Sequence, residues 1–263
     1  MRTEHINILF IADIIGTPGL KLVKENIDRL KEKYNIDFCI ANGENGAGGK
    51  GLTERVANEF FETGINVITS GNHIFEKSNL FRFLNQNHRI LRPINYPLSN
   101  HGHGSLIATI NGGIKIGVIN AQGRTFMFPI DCPFRRVSEE INRISKITPI
   151  IIVDFHAEAT AEKIALGWYL NGRVSALIGT HTHVQTADER ILDRGTAFIT
   201  DVGMTGPYDS VIGLKKEVAI QRFLTQIPSR YQIAESDTRF CGVVITIRTA
   251  DGKATSIERL FFK

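Results

Sequence analysis

The chain has 263 residues, of which 42% are hydrophobic and 22% charged, with a formal net charge of +4 at pH 7. This composition is ordinary for a globular protein and favours one α/β domain over residues 1–263, although length alone leaves two domains open. The mild positive charge suits an anionic ligand such as a phosphate ester, but it is too weak to diagnose nucleic-acid binding.

The cysteines and the amino terminus exclude several classes of protein. Cys39, Cys132 and Cys241 are scattered and form no CxxC pair, so neither a disulfide framework nor a thiolate zinc site is implied. Cys39 lies in the apolar run FCIA and is predicted to be a core thiol. The first apolar run is too short for a bilayer, lacks a cleavage site and ends at Asp13. The sequence therefore predicts a cytoplasmic protein with no membrane association.

The first half of the chain alternates strand-like and helix-like segments. Residues 6–12 form an apolar run of strand length, and residues 20–33 repeat apolar positions with a helical period. DFCIA is a second strand before the glycine-rich loop NGENGAGGKG. Thr53 is expected to cap the next helix, and INVITS is a third strand. This βαβαβ order predicts a parallel sheet with helices on its faces.

The pattern changes after residue 89. The alternating runs SLIATI and IKIGVIN, joined by NGG, are typical of an antiparallel hairpin. PIIIVDF and VSALIG are further strands, with a helix predicted over residues 159–170 between them. ERILD, TAFIT and GVVITI add strands near the carboxyl end. Together these segments favour a two-sheet sandwich with outer helices over a single open sheet.

Five segments end apolar runs with side chains that suit a dinuclear metal centre, in which two metal ions lie side by side. The segments are ILFIAD, NGEN, SGNH, VDFH and IGTHTH. Strand ends of an α/β sheet are where ligands that are distant in sequence converge in space. The candidate residues are Asp13, Glu44, Asn45, Asn72, His73, His156, His181 and His183.

Each candidate alone also has an ordinary structural interpretation. Asp13 alone is better explained as a turn residue, and Asn72 is equally well explained as a helix cap. An isolated His156 is more often a hydrogen-bonded core residue. His181 and His183 change this balance because alternate residues of extended backbone project to the same side, where two imidazoles can clamp a transition metal.

Two other segments are less persuasive. His101 and His103 have the same spacing, but they lie in the loop NYPLSNHGHGS, and this spacing is nonspecific without a supporting scaffold. We therefore expect no metal site there. The segment FMF at 126–128, beside Arg124, could form a base-stacking edge, but packing in the core or between subunits is the preferred interpretation.

Taken in order, the motifs resemble the calcineurin-like metallophosphoesterase superfamily, with its early Asp, GNH, lone His and terminal GHTH. More narrowly, the chain is similar to YmdB-like bacterial phosphodiesterases through ADIIGTPG, ANGENGAGGKG, SGNHIFEK, NAQGRTFM, DFHAEAT, IGTHTHVQTADERIL and ITDVGMTGPYDSVIG. Ala12 replaces a usual Gly, and IFEK replaces a version with tryptophan and aspartate. Both departures lie beside ligands rather than at them.

The resemblance implies a four-layer αββα sandwich of two mixed sheets flanked by helices, with two transition metal ions. One metal would be bound by Asp13, Glu44, Asn45 and His183. The second would be bound by the bridging Glu44 together with Asn72, His156 and His181. His73 would be the catalytic acid near the leaving oxygen.

The implied activity is hydrolysis of 2′,3′-cyclic nucleotides to 3′-nucleotides through a metal-bridging hydroxide, which cleaves the 2′ bond. This substrate comes from the family resemblance and not from residue spacing. Oxygen and imidazole ligands without thiolate favour iron or manganese, in divalent or mixed-valence form, and zinc is compatible. Asp154 is either a partner behind His156 or an ordinary buried aspartate.

Two alternatives and the assembly state remain open. The same metal pair could serve a phosphomonoesterase or a nuclease that acts on RNA ends. A regulatory RNA- or protein-binding factor with structural metals is a different class. The chain has no arginine-rich arm and no interleaved aromatic stripe to favour RNA binding. The sequence leaves a homo-oligomer open.

Overall fold

The computed structural model describes residues 4–263, in which thirteen strands and six α-helices follow one another. The strands are β1 (His5–Ile11), β2 (Asp13–Ile14), β3 (Ile36–Asn42), β4 (Val67–Thr69), β5 (Ser105–Thr109), β6 (Lys115–Gln122), β7 (Ile151–His156), β8 (Ala176–Thr180), β9 (Arg190–Ile191), β10 (Ala197–Ile199), β11 (Met204–Pro207), β12 (Thr238–Arg248) and β13 (Ala254–Phe262). The α-helices are α1 (Gly16–Tyr34), α2 (Glu54–Glu62), α3 (Phe81–Gln86), α4 (Pro133–Ile144), α5 (Thr160–Leu170) and α6 (Lys216–Thr225).

The strands form two mixed sheets. The first has the order β2-β11-β12-β1-β3-β4, with β13 paired to β12. In this sheet β1, β3 and β4 are parallel, whereas β12 runs antiparallel to β1 and β13. The second sheet has the order β5-β6-β7-β8-β10-β9, in which β6, β7, β8 and β10 are parallel and the edge strands are antiparallel. The predicted hairpin is β5 and β6, with Ser105 opposite Ile119.

The inner faces of the two sheets share one core. Ile8 and Phe10 of β1 lie in the same buried cluster as Ile152 of β7 and Ile178 of β8. Because successive strand residues point to opposite faces, Leu9 of β1 packs instead in the cluster on the helical side. Strands that are buried on both faces explain the continuous apolar runs in the sequence.

Helices cover the outer face of each sheet. Val23 and Ile27 of α1 pack in the first sheet's outer cluster, to which α2 and α3 also contribute. Leu166 and Leu170 of α5 pack with α4 in the second sheet's outer cluster. The predicted αββα sandwich is therefore confirmed. None of the helices in residues 4–263 is both long enough and apolar enough to cross a membrane.

Element boundaries differ from the predictions where turn residues start a helix. Helix α1 begins at Gly16 rather than at residue 20, because the segment GTPG forms its first turn, where proline is tolerated. Thr53 caps α2 as predicted, since its side chain accepts the Val56 N–H. Helices α3, α4 and α6 and strands β2, β11 and β13 have no counterpart among the predicted elements.

Hydrogen bonds between polar strand ends join the two sheets. Ser70, just after β4, and Asn120 of β6 exchange two bonds of 2.9 Å, one to the Ser70 carbonyl oxygen and one from its N–H. Asn42, the last residue of β3, donates from Nδ2 to Asp154 Oδ2 of β7 at 3.2 Å. The carboxyl ends of strands from both sheets therefore meet at one edge of the sandwich, and the candidate ligands lie there.

Candidate metal centre

The eight candidate residues lie at or just beyond strand ends, and the fold brings all of them into one connected cluster. Strand β2 carries the aspartate, and the segments after β3 and β4 carry the Glu-Asn and Asn-His pairs. Strand β7 ends on one histidine, and the segment after β8 carries two more. The residues are Asp13, Glu44, Asn45, Asn72, His73, His156, His181 and His183.

One half of the cluster is built around Glu44. Glu44 Oε1 lies 2.9 Å from His156 Nε2, which is 3.0 Å from His181 Nδ1 and 3.2 Å from Asn72 Oδ1. Ligand atoms of Glu44, His156 and His181 all lie within 4.8 Å of one another. This group can hold a metal ion.

The other half connects Asp13 with His183 and Asn45. His183 Nε2 lies 3.3 Å from Asp13 Oδ2 and 3.2 Å from Asn45 Nδ2. Asn45 Oδ1 in turn accepts a hydrogen bond of 2.9 Å from His73 Nδ1, and the His73 backbone N–H donates to Glu44 Oε2 at 3.1 Å. His73 therefore links Asn45 of this half to Glu44 of the other half.

Neighbouring groups orient each buried imidazole. The Thr180 hydroxyl donates to Asp154 Oδ1 at 2.7 Å, so it accepts from His156 Nδ1 at 2.9 Å and leaves Nε2 with a lone pair. His183 Nδ1 donates to the carbonyl oxygen of Ile212 at 3.0 Å, which directs its Nε2 to Asp13. Such partners behind a ligand orient it and raise its affinity for metal.

Burial keeps two of the imidazoles neutral. It lowers the pKa of His156 to about 4 and that of His181 to about 3, so both offer lone pairs at neutral pH. Burial alone would also lower the pKa of His183, but the hydrogen bond and charge of Asp13 outweigh it and raise this pKa to about 9. The Asp13 side of the cluster therefore carries a proton that a metal ion would displace.

Unpaired acceptors at the centre fit bound cations. Among the described residues, no hydrogen-bond donor reaches the buried oxygens Asp13 Oδ1 and Glu44 Oε1. The close approach of Glu44 Oε1 to His156 Nε2 is not a hydrogen bond, because the His156 proton is on Nδ1. Buried acceptors that face each other without a proton are costly unless a cation lies between them. Carboxylate, carboxamide and imidazole groups are suitable ligands for first-row transition metals.

The comparisons with known proteins agree on one family. The profile of the YmdB-like protein family matches residues 9–260. The chain is 51% identical over 255 residues to the 2′,3′-cyclic-nucleotide 2′-phosphodiesterase of Bacillus subtilis, and the match covers 97% of this chain and 96% of the relative. The chain belongs to the YmdB-like family. The expectation that it is an enzyme of the phosphodiesterase class is confirmed by this relative.

One further relative and two solved structures extend the match. A putative phosphatase/phosphodiesterase of Mycoplasma genitalium is 35% identical over 265 residues, covering 98% of this chain and 93% of the relative. A crystal structure of a novel phosphatase from Mycoplasma pneumoniae has a TM-score of 0.91 at 36% identity, covering 98% and 93% of the two chains. A hypothetical protein of Thermus thermophilus has a TM-score of 0.90 at 37% identity, covering 98% and 99%.

Extended backbone would make the two histidines after β8 project to the same side. In this YmdB-like chain they do not. His181 has φ 104° and His183 has φ 64°, so both lie outside the extended region. His181 points to His156, whereas His183 points to Asp13. The predicted direction was wrong because a left-handed turn follows the strand. The turn therefore directs one histidine to each half of the cluster.

The aromatic segment at 126–128 is not part of the core. Phe126 is 87% exposed and Phe128 is 75% exposed, so the interpretation as core packing was wrong. The His101–His103 pair has its two rings on different neighbours: His101 stacks on Phe81 and His103 stacks on His88. The pair belongs to no group of three metal-binding side chains among residues 4–263.

The structure adds residues that motif reasoning did not single out. Glu158 Oε2 lies 3.2 Å from His181 Nε2 and directs the other ring nitrogen of His181 to the cluster centre. Asn42 and Thr180 both contact Asp154, and Thr180 also contacts His156 Nδ1, so Thr180 lies between Asp154 and His156. The available signal was the position of Asn42 and Thr180 at the ends of buried strands, where polar residues are otherwise scarce.

Proposed function

We propose that this chain is a dinuclear-metal-dependent phosphodiesterase that hydrolyses 2′,3′-cyclic nucleotides to 3′-nucleotides. The observation that carries the proposal is the set of buried acceptors that face one another around Glu44. The name of the relative that is 51% identical supports the substrate, since the match spans nearly the whole of both chains. A small nucleotide phosphodiester is therefore the proposed ligand.

The proposed ligands form two sets, which follow the two halves of the cluster. Asp13, Glu44, Asn45 and His183 would hold one metal. Glu44, Asn72, His156 and His181 would hold the other. When bound, two such ions activate water for attack on phosphorus and offset the negative charge of the phosphoryl group. Iron and manganese are the proposed metals, and the donor set is also compatible with zinc.

His73 is proposed to supply the proton that the reaction needs. In a 2′,3′-cyclic nucleotide the bond from phosphorus to the 2′ oxygen breaks, water oxygen adds to phosphorus, and the leaving alkoxide takes up a proton. The His73 side chain is 21% exposed at the margin of the buried cluster. Its Nδ1 is held by Asn45 Oδ1, which leaves Nε2 free for the substrate. As the acid, His73 would carry a proton on Nε2 as well as on Nδ1; burial lowers its pKa and disfavours this form, whereas the charge of Glu44 favours it.

The decisive test replaces the proposed bridging carboxylate. Glu44→Gln keeps the size of the side chain but removes the negative charge, so we expect loss of bound metal and turnover reduced to background with 2′,3′-cyclic AMP. Metal content is measured by elemental analysis of protein purified without added metal, and turnover by 3′-AMP formation. Glu62→Gln, an exposed change on α2, is the matched control. Normal turnover in a Glu44→Gln protein that has lost its metals would contradict the mechanism.

Phosphomonoester hydrolysis by the same centre is the alternative activity. It is favoured by the name of the Mycoplasma genitalium relative, which combines phosphatase and phosphodiesterase. A substrate panel separates the two: nitrophenyl phosphate, its bis-ester, 2′,3′-cyclic nucleotides and short RNA with a terminal phosphate. The proposal requires the cyclic nucleotide to have the highest kcat/KM. A preference for the monoester or for the RNA end would favour the alternative.

A further inference from the structure

A buried ion pair lies beneath the turn that carries the two histidines. Lys163 of α5 and Asp201, which follows β10, are 2.6 Å apart from Nζ to Oδ2, and their side chains are 0% and 1% exposed. Burying two charges has a large desolvation cost, and replacing such a pair by apolar residues is often neutral or stabilising. Global stability is therefore a poor explanation of this pair.

The contacts of Asp201 lead directly to the metal-binding turn. Its Oδ2 accepts the backbone N–H of Thr182 at 3.0 Å, and its Oδ1 accepts the N–H of Gly203 at 2.9 Å. Thr182 is the residue between His181 and His183. The preceding N–H, that of His181, donates to Asp13 Oδ2 at 3.3 Å. Two consecutive N–H groups of the turn are thus each held by a buried carboxylate.

The turn needs such restraint because its backbone is strained. His181 at φ 104° and His183 at φ 64° both lie where side chains other than glycine are uncommon. A conformation of this kind is unfavourable for a histidine and persists only where surrounding contacts hold it. If the turn relaxed, the two imidazoles would no longer point to opposite halves of the cluster.

Asp201 and Lys163 are themselves held tightly. The Asp201 backbone exchanges two hydrogen bonds with Thr186, of 2.9 Å to Oγ1 and 3.0 Å from N–H. The stem of Lys163 passes Gly179 of β8, where an added Cβ would lie 3.2 Å from Lys163 Cδ and 1.7 Å from the Thr200 carbonyl oxygen. Because β8 packs closely on β10, the Lys163 amine lies next to the Asp201 carboxylate.

We propose that the Lys163–Asp201 ion pair positions the turn through the Thr182 N–H and thereby sets the metal affinity of His181 and His183. This inference rests on the proposed metal-dependent function. Lys163 and Asp201 are positioning residues, because neither touches a proposed ligand side chain within hydrogen-bond distance. Lys163 supplies the counter-charge to the buried Asp201 carboxylate, and Asp201 makes the contact with the turn.

The test measures metal binding by the metal-free full-length chain. Lys163→Met removes the counter-charge with little change in volume, and Asp201→Asn leaves one of the two N–H groups facing an amide donor. We expect each variant to bind Mn²⁺ roughly 10- to 100-fold more weakly, as is typical of changes behind a ligand. Free Mn²⁺ is followed by electron paramagnetic resonance during a titration, and folding by circular dichroism.

The matched control is Lys31→Met. The Lys31 amine also anchors a backbone segment, the carbonyls of Thr63 and Gly64, but between the carboxyl-terminal ends of α1 and α2. It should lose some stability and keep its Mn²⁺ affinity within about twofold, since it contacts no part of the centre. Wild-type affinity in folded Lys163→Met and Asp201→Asn proteins would overturn the inference.

A neutral double variant keeps the test decisive if a single change prevents folding. Lys163→Met combined with Asp201→Asn leaves no unpaired buried charge, so it should fold. Its carboxamide can accept only one of the two N–H groups that the carboxylate accepts, and we expect Mn²⁺ binding to stay at least about tenfold weaker than in the wild-type chain. Wild-type affinity here would overturn the inference. A wild-type chain that bound no Mn²⁺ would instead contradict the proposed function itself.

Discussion

At the scale of single residues, the proposed metal centre depends on side chains that are not themselves proposed ligands. His156 presents Nε2 because Thr180 accepts its Nδ1 proton, and Thr180 can accept because its own proton is donated to Asp154. Burial raises the pKa of Asp154 to about 8, against hydrogen bonds that include those from Thr180 and Asn42. The hydrogen bonds that join Asp154, Thr180 and His156 thus leave the lone pair of His156 on Nε2.

Removing the middle of this chain should weaken the centre. Thr180→Val keeps the shape of the side chain but leaves His156 Nδ1 and Asp154 without their shared partner, so we expect Mn²⁺ affinity to fall about tenfold or more. Thr180→Ser retains the hydroxyl and is the control, with an expected affinity close to that of the wild-type chain. Titration of both metal-free variants with Mn²⁺ checks the prediction. Equal affinities in the two variants would exclude the role of the hydroxyl.

The cysteines offer a second test at this scale. Burial raises the pKa of Cys39 to about 12 and that of Cys241 to about 11, so both remain thiols from pH 7 to 9, whereas Cys132 is only half-buried. Because the thiolate is the reactive form, we expect one thiol to react rapidly in the native protein and three after unfolding. A colorimetric thiol titration measures this. Rapid reaction of all three thiols in the native state would contradict the burial of Cys39 and Cys241.

At the scale of elements, each segment that carries proposed metal ligands is fixed by the element that precedes or follows it. The loop with Glu44 and Asn45 continues into α2, whose first turn is capped by Thr53. Gly71, just after β4, leaves room for the His156 ring, since an added Cβ would lie 2.0 Å from His156 Cδ2. Strand ends and helix starts therefore determine where the ligands lie.

The cap of α2 should be measurable as stability. Thr53→Ala removes the acceptor for the Val56 N–H, which lies 3.4 Å from Thr53 Oγ1, so we expect a loss of about 1 kcal/mol in the free energy of unfolding. Thr53→Ser keeps the acceptor and should remain within about 0.5 kcal/mol of the wild-type value. Urea denaturation of the three proteins gives the values. A loss of equal size in both variants would show that the methyl group, rather than the cap, matters.

At the scale of the whole molecule, neither sheet has a core of its own on the inner side. Ile8 and Phe10 of the first sheet pack in one cluster with Ile152 and Ile178 of the second. The proposed metal ligands also come from both sheets. We therefore propose that residues 1–263 form a single domain in which the sheets fold together.

This proposal predicts one cooperative unfolding transition. Trp168, the single tryptophan, reports from α5 on the second sheet, and Cys39 of β3 reports from the first. Since the sheets share a core, tryptophan fluorescence and labelling of Cys39 should give the same urea midpoint. Labelling at Cys39 is quantified by mass spectrometry of the peptide that contains it. Two separated midpoints would indicate two domains.

The sequence by itself determined most of the strands, the outer helices α1, α2 and α5, and the residues proposed for the centre. Strands buried on both faces require continuous apolar runs, so a carboxylate, amide or imidazole that ends such a run marks a strand end. Asp13, His156 and the residues after β3, β4 and β8 were recognisable for this reason. The local periods also predicted the hairpin and α1, because these elements depend on neighbours in the chain.

Only the tertiary structure decided how these pieces meet. The opposite directions of His181 and His183 follow from a turn that Asp13 and Asp201 hold from other parts of the chain. The burial of Lys163 against Asp201 and the exposure of Phe126 likewise depend on which elements pack nearby. Hydrophobic period describes one element at a time, whereas a strained turn or a buried ion pair is stabilised only by contacts between distant segments.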